Sequence, residues 1–199
     1  MKHASTRAVH AYWDQRRGHR PAPSRDDIDP GAIRQALGDT FLLSADFVDQ
    51  LRFRLAGTRI CALFCRELKG EILTTLCSDA SRKTFEDALS VIAEESAGVV
   101  AGLTGHADDG ATIELEMLLL PLVRVGHART SVLGVLTPLA PVYWIGAKPV
   151  VTFELATVRH LGAATAAPRF ALPLDGSQVQ HGFTVYTGGL AEPGNERAS

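Results

Sequence analysis

Glu114 and Glu116 stand two residues apart in the run ATIELEMLLLPL, and a close pair of carboxylates is what general acid and base chemistry uses. In an alternating strand the two share a face, and a solvated face is the ordinary place for such a pair. Cys61 and Cys65 are spaced i and i+4 and could share one side of a helix. Two thiols alone make a poor zinc site, and small buried thiols are the usual case. The seven histidines are scattered. His106 and His127 fall near strand ends, but no thiol or carboxylate spacing marks them as ligands. No GxSxG, HExxH, Walker loop or dinucleotide fingerprint occurs. The expectation is a protein with no catalytic residues and no metal.

The stretch that organises the chain is residues 51–72, LRFRLAGTRICALFCRELKGEI. Leu51, Phe53 and Leu55 alternate with Arg52 and Arg54, the period of a strand with one wet face. Gly57-Thr58 ends it, and threonine can cap a following helix. Ile60, Leu63, Phe64 and Leu68 recur at helical spacing, with Gly70 as a stop. A second helix is expected over residues 78–97, where Phe85, Ala88, Leu89 and Ile92 form a stripe.

Around this stretch the pattern predicts strands over 40–47, 99–103, 112–123 and 131–136, with a weaker edge strand over 150–158. Asp108-Asp109-Gly110 has the residue types of a hairpin turn. In the run 112–123, Ile113, Leu115, Met117 and Leu119 share one face. The other face turns from Glu114 and Glu116 to Leu118, Leu120 and Leu122. Something apolar must cover that second face at one end, and a helix over residues 6–17 carrying Tyr12 and Trp13 is the natural candidate. It could equally bury those aromatics against a partner subunit. Arg16, Arg17, His19, Arg20 and Arg25 cluster after it, an ordinary solvated patch or a site for an acidic partner. From Leu161 onward the pattern fades into a segment expected to be mostly disordered.

The net charge of -2 gives no basic field for nucleic acid or an anionic membrane surface. No apolar run reaches the roughly 18 to 20 residues that span a bilayer. The start of the chain lacks an apolar signal region, and three cysteines make no disulfide framework, so a reducing cytoplasm is expected.

Arg54-Leu55-Ala56-Gly57-Thr58, followed by Leu63-Phe64-Cys65-Arg66-Glu67-Leu68-Lys69-Gly70, resembles the central signature of PAS domains. In particular it is similar to a compact bacterial subfamily written RLAGT…LFGREL.G, with Cys65 where that pattern has a glycine. Tyr12-Trp13, Arg17-Gly18, Asp27-Ile28-Asp29-Pro30, the run EMLLLPL from Glu116 to Leu122, Leu133-Gly134 and Trp144-Ile145-Gly146 continue the likeness in order over about residues 6–160. The resemblance implies an α+β fold: a five-stranded antiparallel sheet with helices on one face, plus an N-terminal helix. Residues 1–27 would be that helix and a connector, 28–160 the PAS-like domain and 161–199 the tail. A pocket between sheet and helices would be lined by Leu55, Ile60, Phe64, Cys65, Leu68, Phe85, Leu115 and Met117, although a filled core uses the same residues. Tyr12 and Trp13 are the candidate interface.

Cys65-Arg66-Glu67-Leu68-Lys69-Gly70 also has the C-R-x-L-x-G spacing of the flavin-binding branch of PAS domains. Phe64 and Lys69 replace the asparagine and glutamine of that motif, and the strand 111–122 has no asparagine for the flavin edge. No histidine falls in the central helical cover to ligate haem. Flavin and haem are therefore not expected. By the resemblance the chain is a stand-alone sensory and signalling module. It would act on a protein partner, with a homodimer possible and a small apolar ligand as a tuning signal. The alternative is a ligand-free adaptor with a fully packed core.

Overall fold

The computed structural model describes residues 1–45, 50–123, 131–161, 178–180 and 183–185. Two units divide the chain, Met1–Ala163 and Ala164–Ser199. The first is an α+β domain built on one antiparallel sheet. Its strands are β1 (Thr40–Ala45), β2 (Leu51–Ala56), β3 (Gly98–Ala107), β4 (Thr112–Leu122), β5 (Ser131–Pro138) and β6 (Val150–Leu161), in the order β2-β1-β5-β4-β3-β6. The sheet thus gains a sixth strand over the five of the resemblance: the weak edge signal near residue 150 extends to Leu161 and pairs along the whole of β3. In the second unit, β7 (Gln178–Gln180) and β8 (Phe183–Val185) pair antiparallel. The expected disorder of the tail concerns residues that otherwise lie outside the described ones.

One face of the sheet carries α2 (Thr58–Phe64), a 3₁₀ turn at Leu73–Leu76 and α3 (Asp79–Glu95). The core beneath them joins Phe41, Leu43 and Phe53 to Leu115, Met117, Phe85 and Phe153. Phe85 and Phe153 meet edge to face, with ring centroids 5.8 Å apart. On the opposite face lies α1 (Ala4–Arg17), whose Val9 and Trp13 pack on Leu118, Leu120, Leu122, Leu133 and Val135. This is the apolar end of the β4 back face seen in the alternation.

Two glycines are fixed by close approach. A Cβ on Gly57 would come within 2.3 Å of the Leu37 carbonyl oxygen and 2.4 Å of that of Gly38, while the Gly57 N–H donates to Thr40 O at 2.8 Å. A Cβ on Gly134 would lie 2.1 Å from the Phe41 ring. Gly57 therefore locks the β2–α2 corner against the start of β1, and Gly134 lets Phe41 lie across β5.

The helix after Gly57 is shorter than its apolar spacing predicts. It ends at Phe64, not Gly70, because Cys65 turns left-handed at φ 52°, ψ 27°. The N–H groups of Cys65 and Arg66 then bond back to the carbonyls of Ala62 and Cys61. Leu68 is buried from the following non-helical segment. That segment covers the outer edge of β2: Gly70 donates to Phe53 O and Phe53 donates to Glu71 O.

Candidate functional site

The described residues hold no cluster of metal-ligating side chains. What they do hold is a set of buried polar joints that tie α1 to the sheet and to α2. Glu116, on the back face of β4, is only 5% exposed. Its carboxylate accepts from the backbone N–H of Lys2 at 2.6 Å and of His3 at 2.9 Å, which satisfies donors at the start of α1. Burial pushes this carboxyl up, but the bonds from His3 and Lys2 more than reverse that and hold it below the usual carboxylate range. The expectation that Glu114 and Glu116 form one solvated face is corrected here. Glu114 is exposed, but α1 begins above Glu116 and buries it.

Asp39 makes the second joint. It is buried, and its two oxygens receive Nε and Nη2 of Arg59 at 2.5 and 2.7 Å, a bidentate pair. Ser5 of α1 donates its hydroxyl to the same carboxylate at 2.7 Å. One side chain therefore connects α1, the segment before β1, and α2. The third joint is Trp13, whose Nε1–H donates to Pro121 O at 2.8 Å. Pro121 pairs with Val132 of β5 but lies beyond the last β3–β4 pair, Val99 with Leu119, and its carbonyl accepts from the indole.

Trp13 is 4% exposed against its own sheet, so its place in the candidate interface is corrected: its burial needs no partner subunit. Tyr12 is half-buried. Its hydroxyl accepts from the N–H of Asp29 at 2.7 Å and donates to Asp27 O at 3.3 Å. The basic cluster is largely engaged within the domain. Arg16 and Arg17 stack over Tyr12 and Trp13, Arg17 pairs with Asp14, and Arg20 pairs with Asp27.

Of the residues proposed to line a pocket between sheet and helices, Ile60, Phe64, Leu68, Phe85, Leu115 and Met117 come together in the front core. Leu55 and Cys65 do not. Leu43 pairs with Phe53, but Leu42 pairs with Leu55, so Arg54 is an extra residue in β2. This bulge turns Leu55 to the back face with Leu42, where it is 54% exposed. Cys65 is exposed, and its thiol points back to Ala62 O. The other thiols are poor nucleophiles. Burial, helped by Glu67, pushes the Cys61 thiol up, and burial pushes that of Cys77 up to about 12.

A family model described as a PAS domain matches residues 1–137. The chain belongs to the PAS domain family. The matched residues include α1, so the helix on the back of the sheet is part of the PAS match, whereas β6 lies beyond it. A solved structure described as an RNA-binding Light-Oxygen-Voltage receptor is similar at 20% identity and a TM-score of 0.42. The match covers 55% of this chain and 33% of that one, so it spans about a third of the receptor. No curated protein matches the sequence.

PAS domains that bond flavin through cysteine need that thiol inside the front pocket. Here Cys65 is exposed, and the β4 positions facing the core are Ile113, Leu115, Met117 and Leu119, with no amide to meet the flavin edge. The residues present do not fit that chemistry. No helix among those residues is long and apolar enough to cross a membrane.

Proposed function

We propose that this PAS domain is a sensory and signalling module of the cytoplasm, acting through contact with another protein and not by turnover. The observation that carries the reading is the set of joints at α1. Glu116 brings the central strand to its start, Asp39 brings α2 to its first turn through Ser5 and Arg59, and Pro121 receives Trp13. A shift of the sheet or of α2 changes the seat of α1. The exposed side of α1, with Ala8, Ala11 and Gln15, is left for a partner to read. A small apolar ligand would act by biasing that seat.

The test is a photocrosslinking residue at Ala11, with one at Ser90 on α3 as the control, followed by reconstitution with the purified partner. A partner captured at Ala11 and not at Ser90, whose binding weakens in Asp39→Asn, supports the reading. Equal capture at both positions, or binding indifferent to Asp39, refutes it.

A second reading is favoured by the front core, where Phe64, Phe85, Leu115 and Met117 are each at most 1% exposed. It is an adaptor with a packed core and no ligand. Native mass spectrometry with an absorbance spectrum, on protein from its own host, separates the two. A bound small molecule supports the ligand-tuned sensor, and a bare-chain mass supports the adaptor. The same spectrum reports whether the chain forms a homodimer.

A further inference from the structure

The back face of the sheet is only partly covered. α1 lies over β4 and β5, and beyond it a cleft of about 610 Å³ opens over β1 and β2. Leu42 and Leu133 lie on the sheet side, Ile28 and Ile33 belong to the segment between α1 and β1, and Leu55 borders it from the edge strand. The Arg54 bulge sets one wall of the cleft, placing Leu55 where strict alternation would have placed an arginine. Its size is within the roughly 300 to 1,000 Å³ of small-molecule sites, and its lining is mostly apolar.

Among the described residues that line it, Arg25 is the one cation. The other arginines of that basic cluster are engaged, Arg16 and Arg17 on aromatic rings and Arg20 with Asp27, while Arg25 has no side-chain hydrogen bond or ion pair among the described residues. Its backbone is anchored, the N–H donating to Val123 O at 3.0 Å, so the side chain rises from a fixed point. The acids next to it in sequence include Asp27, engaged with Arg20 and the Ser24 N–H, and Asp29, which caps Gly31. They oppose a multiply charged anion at this place. A guanidinium with no side-chain partner among the described residues, beside an apolar trough, suits a single carboxylate on an alkyl chain.

We propose that this back-face cleft binds an amphipathic monocarboxylate, its alkyl chain over Leu42, Leu55 and Leu133 and its carboxylate on Arg25. The site is on the opposite side of the sheet from the core under α2 and α3. The assignment names the ligand of the sensory module and so rests on that reading for its purpose. Binding itself is measured on the full chain alone, so its failure is distinct from a failure to find a partner at α1.

The experiment titrates decanoate, below its micelle concentration, and decanol as the neutral match, by calorimetry and by chemical-shift mapping. Decanoate is expected to bind one per chain and to shift the Leu42, Leu55 and Leu133 signals. Arg25→Gln should weaken decanoate about fivefold and leave decanol unchanged. Leu55→Gln, at an exposed position that should not disturb folding, should weaken both. No saturable binding, shifts confined to the front core, equal loss of both probes in Arg25→Gln, or a dimer that closes the cleft in place of ligand would each overturn the proposal.

Discussion

Replacing Glu116 by glutamine tests whether a strand carboxylate holds α1. The carboxylate gives one oxygen to the N–H of Lys2 and the other to that of His3. Glutamine keeps a single oxygen acceptor, and its amide nitrogen would face the second donor. One bond is therefore lost and the charge assistance of the other disappears. A hydrogen bond to a charged group contributes about 1.5 to 3 kcal/mol, but the end of a helix can fray and regain water, so about 1.5 kcal/mol is expected. Urea unfolding at pH 7 should show a lower midpoint with an unchanged slope. Amide exchange in the first turns of α1 should rise about tenfold, the equivalent of that energy. The pH dependence gives the sharper check. The folded pKa of Glu116 lies below its ordinary 4.5, so its contribution is complete above that value and fades as pH falls through the folded one. The gap between wild type and Glu116→Gln should therefore close in acid. Equal stability at pH 7, or a gap that persists in strong acid, would refute the reasoning.

Gly57→Ala should cost at least about 2 kcal/mol, since the new methyl meets two backbone carbonyls that cannot rotate away; a denaturant midpoint checks it. Cys65→Gly should instead stabilise by about 0.5 to 1 kcal/mol, because the left-handed helix stop penalises a side chain; thermal unfolding reads this. Trp13→Phe leaves the Pro121 carbonyl without its indole donor and should cost about 1 to 2 kcal/mol in urea, with α1 amides exchanging faster than those of β4.

Much of the architecture could be read along the chain because it rests on local rules. The Asp108-Asp109-Gly110 turn joins β3 to β4, with Gly110 at φ 85°. The stripe of Phe85, Ala88 and Ile92 is the buried side of α3. The change of the β4 back face from carboxylate to leucine located the seat of α1. The site was less legible. Alternation put Leu55 with Phe53, and a one-residue bulge reversed it. Helical spacing carried α2 through to Leu68, while the backbone turned at Cys65.

The sequence by itself determined the PAS character, the Gly57 corner, the strand and helix order and an N-terminal helix with aromatics to bury. Period, turn chemistry and glycine placement are properties of neighbouring residues, so they survive without a fold. Only the tertiary structure decided that Trp13 is satisfied by its own sheet, that Glu116 is a helix anchor while Glu114 stays in water, that Asp39 joins α1 to α2, and that an apolar cleft beside Arg25 opens behind the sheet. Each depends on groups brought together from distant parts of the chain. Asp39 and Arg59 are 20 residues apart and Glu116 and His3 are 113 apart, and no local pattern records which distant donor a carboxylate will meet.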